Sequence, residues 1–306
     1  MIGDQQMRAM PGFCRGDGPL GAVVMTVAGL FLTVGAAIAQ PIILAPDDPG
    51  RMVPSLSEAL ESGGFSNFSA TDVAPPTADL PSATQPVVVE LFTSQGCSSC
   101  PPADAMLSML AEQPDVLPLS YHVDYWDYLG WADSFAKPEF TERQEAYARA
   151  AGERSVYTPQ MIVGGSDTAV APGPTQLMGL VDGRRFAPTT ISVVRDKTPE
   201  GEKIELAPLS ELGDQIDIVL VRYAPERKVD VTEGENRGRT IVYTNVVLAL
   251  QHLATWDGTT TMRLNVRPEN FSDARFGADT RHVLLAQQMV GKKRLPGPIL
   301  TAIPLD

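Results

Sequence analysis

Val87–Cys100 reads VVVELFTSQGCSSC, an apolar run followed by a short polar loop and two cysteines. The run Val87–Phe92 is almost continuously apolar, which is typical of a strand that is buried on both faces of a parallel sheet. Beyond Cys100, apolar residues recur at helical spacing. The sequence therefore predicts that Cys97 and Cys100 lie at the junction between a buried strand and a helix.

Strands and helices continue to alternate after this junction. A strand is predicted over Val116–Val123, and Pro138 and Gly152 mark the two ends of a helix. A further strand follows Tyr157, and a short helix is expected at Thr175–Val181. This alternation is typical of an α/β sheet.

From about Ile204 the pattern changes to strands separated by turns rich in glycine, asparagine and aspartate. This succession predicts an all-β module that is sandwich-like. We therefore expect an α/β domain over residues 86–200 and a small all-β domain over residues 201–306. The predicted strands of the second domain are Asp217–Tyr223, Thr240–Leu250, Thr259–Val266 and His282–Val290.

Residues 1–39 have the features of a signal peptide. Arg8 and Arg15 precede an uncharged apolar stretch, Leu20–Ala39, which ends in the small-x-small pattern that signal peptidase requires. The stretch is also long enough for an uncleaved membrane anchor, since a spanning helix needs roughly 20 residues. In either case the rest of the chain is expected to be periplasmic or secreted. Residues 40–85 are rich in small and polar residues and are predicted to be a disordered linker.

Export changes how the three cysteines are interpreted. Cys14 leaves with the signal peptide, so the mature chain keeps Cys97 and Cys100 in a compartment where disulfides persist. A zinc site would need a second pair of ligands, and the mature chain has no other cysteine. The pair therefore predicts thiol–disulfide chemistry, with a structural disulfide and a metal clip as the alternatives.

Position along the chain assigns different roles to the two cysteines. Cys97 ends the loop close to a helix N-terminus, whose partial positive charge stabilises a thiolate. We expect Cys97 to be the more exposed thiol, which attacks. Cys100 is expected to lie deeper and to resolve the mixed disulfide.

The net charge of −13 restricts the partners. An acidic chain repels phosphate backbones and anionic lipid surfaces, so we expect no nucleic-acid binding, and membrane contact only if the N-terminal segment stays uncleaved. No motif points to a cofactor or to a metal site, and the expected partners are thiols or disulfides of exported proteins.

Two other classes of function remain open. One is a copper carrier that uses Cys97, Cys100 and His122, because thiolates and imidazole suit Cu(I). The other is a structural or interaction protein whose disulfide is incidental.

Four runs of residues carry a resemblance to a known family. They are Glu90–Asp104 (ELFTSQGCSSCPPAD), Tyr121–Trp126 (YHVDYW), Tyr157–Gln160 (YTPQ) and Glu235–Arg239 (ENRGR). Through them the chain resembles the DUF1223 family of thioredoxin-like proteins over about residues 86–306. The resemblance implies a thioredoxin-like fold and an exported location, and it implies no assigned reaction.

The wider resemblance to thioredoxins implies roles for single residues. Cys97 and Cys100 match the redox pair, and Pro159 matches a cis-proline that faces it. Glu90 matches the carboxylate that thioredoxins place under the dithiol, where an acid could take up the proton of the resolving thiol. The loop before Cys97 is one residue longer here, however, and such a carboxylate could instead point to solvent or pair with a lysine or arginine. Gly96 stands where thioredoxins commonly have a tryptophan.

The end of the second predicted strand carries His122, Asp124 and Trp126. Ligands of open α/β sheets gather beyond the carboxyl ends of the strands, which is also where Cys97 must lie. We therefore expect these three residues, together with Thr158 before the proline, to line one crevice with the dithiol. His122 could set the pKa of the thiolate or bind a metal, or it could be a structural histidine.

Overall fold

The computed structural model describes residues 85–267 and 276–305. The predicted signal peptide, including Cys14, and almost all of the predicted linker lie outside these residues. Export and cleavage therefore stay predictions. No helix in the described part of the chain is long and apolar enough to cross a membrane.

The described residues form eleven strands and three α-helices, with a short 3-10 helix at Asp127–Leu129. The elements, in chain order, are β1 (Val87–Thr93), α1 (Pro101–Leu110), β2 (Val116–His122), α2 (Pro138–Ala151), β3 (Gln160–Val163), β4 (Asp167–Val170), α3 (Pro174–Arg185), β5 (Ile191–Thr198), β6 (Gly201–Pro208), β7 (Gln215–Asp230), β8 (Thr240–Trp256), β9 (Met262–Val266), β10 (Arg281–Val290) and β11 (Leu295–Pro304).

Eight of these strands form one mixed sheet in the order β11-β10-β7-β8-β2-β1-β3-β4. β1 and β2 are parallel, and β3 is antiparallel to β1. The long β7–β8 hairpin joins this sheet where Ser120 of β2 lies opposite Val246 of β8. The remaining three strands form a separate antiparallel sheet, β5-β6-β9.

This architecture confirms the predicted fold class, a thioredoxin-like α/β part followed by a β-rich part. Four strands of the β-rich part, β7, β8, β10 and β11, extend the sheet of the α/β part. The division into separate domains at residue 200 stays a prediction.

Helices cover both faces of the first strand, so all seven residues of β1 are buried, as its apolar run predicts. Because side chains alternate along a strand, the two faces of β1 meet different helices. Val89 and Leu91 pack in a cluster with residues of α1 and α3. Val88 and Phe92 pack instead with Phe140 and Tyr147 of α2. This alternation decides which helix each polar residue of β1 meets.

The ends of the helices follow from glycine and proline. α2 begins at Pro138, whose fixed φ suits the first helical position, and Gly152 caps its C-terminal end with a φ of 74°, which glycine readily adopts. Pro101 and Pro102 occupy the first two positions of α1, with Cys100 as the N-cap. The predicted junction between strand and helix is therefore confirmed.

Candidate functional site

Cys97 and Cys100 form a disulfide with a Cα–Cα distance of 5.4 Å. The loop after β1 turns back on itself, with the Cys97 N–H donating to the Ser94 carbonyl at 3.1 Å. The Cys100 N–H donates to the Cys97 carbonyl at 3.2 Å, and α1 starts there. Ser99 Oγ lies 3.3 Å from Cys97 Sγ. The sequence-predicted pair is thus brought together at the start of a helix.

Both cysteines are fully buried, with 0% of each residue exposed, whereas Ser98 and Ser99 between them are exposed. The prediction that Cys97 is the more exposed thiol is therefore wrong for the disulfide form. A turn of the β-rich part packs against the backbone of the cysteine loop. Asn236 Nδ2 donates to the carbonyls of Gln95 and Cys97, each at 2.9 Å.

The long loop between β2 and α2 supports the cysteine loop through Gln95. The Gln95 N–H donates to Asp133 Oδ2 at 2.7 Å, and Trp131 Nε1 donates to Gln95 Oε1 at 2.8 Å. Gln95 Nε2 in turn donates to Ser134 Oγ at 3.2 Å. Gln95 is itself fully buried, so these contacts fix the backbone immediately before Cys97.

His122 and Asp133 form a buried pair, with Nδ1 2.7 Å from Asp133 Oδ2. Burial works against the charged carboxylate, but the charge of His122 and the hydrogen bonds to it hold the pKa of Asp133 below its usual value. His122 Nε2 is buried and has no hydrogen-bond partner among residues 85–267 and 276–305. The rings of Phe135 and Tyr243 pack edge-on against the imidazole, with centroids at 5.2 and 4.7 Å. His122 is thus held from one side by Asp133 and enclosed by aromatic rings.

Asp104 is a buried acid that the sequence reading did not single out. It lies one helical turn after Cys100 on the buried side of α1, and neither carboxylate oxygen has a hydrogen-bond partner in the described part of the chain. Burial raises the pKa of Asp104 to about 7, although the nearby charge of His122 opposes this rise. The sequence does carry a signal for the burial of Asp104. The i, i+3, i+4, i+7 spacing that marks the buried side of a helix is found at Cys100, Ala103, Asp104 and Leu107.

Trp126 and Thr158 meet beside the cysteine loop. Trp126 Nε1 donates to Thr158 Oγ1 at 2.8 Å. A Cβ built on Gly96 would lie 3.3 Å from Trp126 Cβ, so the tryptophan packs against the residue before Cys97. The Thr158–Pro159 peptide bond is cis, as predicted. The structure therefore brings Trp126 and Thr158 together next to the disulfide loop.

Asp124 has a different neighbour. Thr141 Oγ1 of α2 donates to Asp124 Oδ1 at 2.6 Å, and the Asp124 N–H points at the same hydroxyl at 3.3 Å. Asp124 thus fastens the end of β2 to α2, and no contact with the disulfide is seen among the described residues.

Glu90 lies on the opposite face of the sheet from α1, and the predicted place beneath the dithiol is wrong. Its carboxylate accepts hydrogen bonds from Arg143 Nε at 2.8 Å and from the Tyr147 hydroxyl at 2.5 Å, both on α2. The longer loop explains this placement, because a shift of one residue along a strand moves a side chain to the other face. The sequence left open that Glu90 pairs with an arginine, and this is the arrangement in the structure.

No group of three or more histidine, cysteine, aspartate or glutamate residues is arranged to hold a metal ion within residues 85–267 and 276–305. The set proposed for copper, Cys97, Cys100 and His122, falls within these residues. In this structure its two sulfurs are bonded to each other.

Parallel β1 and β2, an antiparallel β3 that follows a cis-proline, and a C-x-x-C disulfide before α1 define a thioredoxin-like protein. Residues 88–287 match the model of a family described as "Protein of unknown function (DUF1223)", and the chain belongs to this family. No curated protein matches the chain.

The chain is similar to solved structures from two bacteria. Protein AGR_C_4864 from Agrobacterium tumefaciens is 34% identical with a TM-score of 0.60, and the match covers 72% of this chain and 93% of that one. HBP35 of Porphyromonas gingivalis is 16% identical with a TM-score of 0.48, and the match covers 72% of this chain and 74% of that one.

Proposed function

We propose that this protein is an exported thiol–disulfide oxidoreductase whose redox pair is Cys97 and Cys100. The observation that carries the proposal is the C-x-x-C disulfide at the first turn of α1 in a thioredoxin-like fold. The apolar N-terminal segment supports an exported location. The partners would be thiols or disulfides of other exported proteins.

In the reduced protein, the Cys97 thiolate attacks a sulfur of a partner disulfide, and the other partner sulfur leaves as a thiolate. The Cys100 thiolate then attacks Cys97 Sγ in the mixed disulfide. The partner departs with both sulfurs reduced, and the Cys97–Cys100 disulfide is restored. Ser99 Oγ, 3.3 Å from Cys97 Sγ, is placed to donate a hydrogen bond to the thiolate. Such a donor matters here because Pro101 and Pro102 contribute no N–H groups to the helix start.

In this proposal Asp104 takes the proton from the Cys100 thiol. Residues four apart on a helix are neighbours on one face, and Asp104 is buried without a hydrogen-bond partner in the described residues. Burial raises its pKa to about 7, which suits an acid–base group near neutral pH. Asp104 thus takes the role that the thioredoxin resemblance implied for Glu90.

Trapping tests the proposal. Cys100→Ser should leave mixed disulfides on Cys97, because the resolving thiol is missing. Extracts made under acid quench and run on non-reducing gels should show adducts that disappear on reduction. Cys97→Ser should give few adducts, and Ser98→Ala, an exposed change between the cysteines, should behave as wild type. Absence of adducts on Cys97 in the folded Cys100→Ser protein would refute the oxidoreductase proposal.

A structural disulfide is the second candidate function, and one observation favours it. Both cysteines are fully buried, and two hydrogen bonds from Asn236 hold the backbone around Cys97 in place. In this case the pair would fasten the cysteine loop and would not exchange with a partner.

A further inference from the structure

We infer that the turn Glu233–Arg239, here called the clamp turn, closes over the disulfide and that Asn236 is the residue that keeps it closed. Any thiol that reacts with Cys97 or Cys100 must then wait until Asn236 leaves. The inference goes beyond the proposed function, because it concerns access to the sulfurs whichever molecule attacks them.

Asn236 differs from the rest of the clamp turn in its burial. It is fully buried, while the other six residues of the turn are exposed. Its Nδ2 donates to the carbonyls on either side of Gly96, those of Gln95 and Cys97, at 2.9 Å each. Carbonyl oxygens only accept hydrogen bonds, so the amide nitrogen must face them. An exposed turn thus inserts one polar side chain into the backbone of the cysteine loop.

Contacts on both sides hold the clamp turn in position. Glu235 Oε2 accepts a hydrogen bond from the exposed Ser98 N–H at 3.3 Å. On the other side, Gly234 approaches Trp131 so closely that a Cβ would lie 3.1 Å from Trp131 Cβ. The turn therefore spans from the residue after Cys97 to the loop that supports Gln95.

The clamp turn is also closed on itself. The Gly238 N–H donates to the Val231 carbonyl at 2.7 Å, and the Val231 N–H donates to the Arg239 carbonyl at 2.9 Å. These bonds continue the β7–β8 hairpin, so Asn236 is presented by its hydrogen-bonded tip. Opening therefore requires the loss of the Asn236 contacts or movement of the hairpin tip.

Thiol exchange needs a nucleophile in contact with a sulfur, and neither cysteine is exposed in the closed form. The rate of reduction is then the rate in the open form multiplied by the fraction of molecules that are open. Because two buried hydrogen bonds hold the closed form, their removal should raise that fraction by about tenfold or more. A small thiol is sufficient to detect the change.

The experiment measures the reduction of the full-length chain by dithiothreitol. One dithiothreitol thiolate attacks a sulfur of the Cys97–Cys100 disulfide, and its second thiolate displaces the mixed disulfide. The products are cyclic oxidised dithiothreitol and two cysteine thiols, which take up the two protons. Alkylation and peptide mass spectrometry then count the free thiols at Cys97 and Cys100 separately from Cys14.

Asn236→Ala should be reduced about ten times faster than wild type, since both bonds are lost. Asn236→Asp should also be faster, because a carboxylate cannot donate to the two carbonyls. Arg237→Ala is the matched control in the same turn, where the side chain is exposed, and its rate should equal that of wild type. An unchanged rate in folded Asn236→Ala would overturn the inference.

Glu235→Ala serves as a second variant if the Asn236 variants do not fold, because it removes only an exposed side chain. Its loss of the Ser98 contact should at least double the rate, whereas an unchanged rate would overturn the clamp. The probe is dithiothreitol, so this result does not depend on the trapping result with protein partners. Failure of the clamp and failure of the oxidoreductase proposal are therefore seen separately.

Discussion

Arg143→Met is expected to destabilise the fold by about 3–5 kcal/mol, because it leaves the buried Glu90 carboxylate without its cationic partner. Glu90 is fully buried, and Arg143 Nε lies 2.8 Å from Glu90 Oε1. The same guanidinium donates to the Tyr147 hydroxyl and to Gln287 Oε1, both at 2.9 Å. The network therefore joins β1, α2 and β10, and its loss should lower the urea midpoint of unfolding.

Two further variants separate the effect of the buried charge on stability from the effect of side-chain packing. Glu90→Gln combined with Arg143→Met removes both charges, so the double variant should be more stable than Arg143→Met alone. Arg149→Met breaks the exposed pair with Glu145 on the same helix and should cost at most about 1 kcal/mol. Equal costs for Arg143→Met and Arg149→Met would contradict a buried, coupled network.

Asp104→Asn is expected to change how stability depends on pH. Burial raises the pKa of Asp104 from 3.8 to about 7, so the folded state holds more protons than the unfolded state between these values. Asp104 therefore contributes stability that is full below about pH 4 and is lost as the pH rises through 7. A shift of this size corresponds to about 4 kcal/mol. The stability of Asp104→Asn relative to wild type should rise by that amount between pH 3 and pH 8.

Urea unfolding at several pH values measures this difference directly. Glu112→Gln removes an exposed carboxylate just beyond α1 and controls for the loss of one negative charge. It should follow the wild-type protein at every pH. A constant difference between Asp104→Asn and wild type across the range would show that Asp104 is not kept neutral by the fold.

The local pattern of the sequence predicted the first half of the fold well. The apolar run that became β1, the proline and glycine that end α2, and the cysteine pair at the start of α1 all depend on neighbouring residues. β7 and β8 extend beyond their predicted ends, with 16 and 17 residues, and they pair with each other along almost their whole length. The strands β4, β5, β6 and β11 were not predicted. Distant strands bury these residues, so their sequences show only a weak alternation of apolar and polar residues.

The cysteine pair and the cis peptide bond before Pro159 were predicted, whereas the parts of the site that depend on distant contacts were missed. The expectation that Pro159 faces the dithiol stays a prediction. Glu90 was assigned to the wrong face because one extra loop residue reverses the alternation of a strand. Asn236 lies 139 residues after Cys97, and only the fold brings them together. The run Glu235–Arg239 is one of those that carry the family resemblance, but its spacing does not indicate that Asn236 turns inward.

The reduction potential of the Cys97–Cys100 pair, measured by equilibration with glutathione buffers of known ratio, tests the redox proposal most directly. An oxidoreductase pair should have a potential between roughly −270 and −120 mV, the range of known thiol–disulfide oxidoreductases. A potential below about −300 mV is typical of structural disulfides and would contradict the proposal.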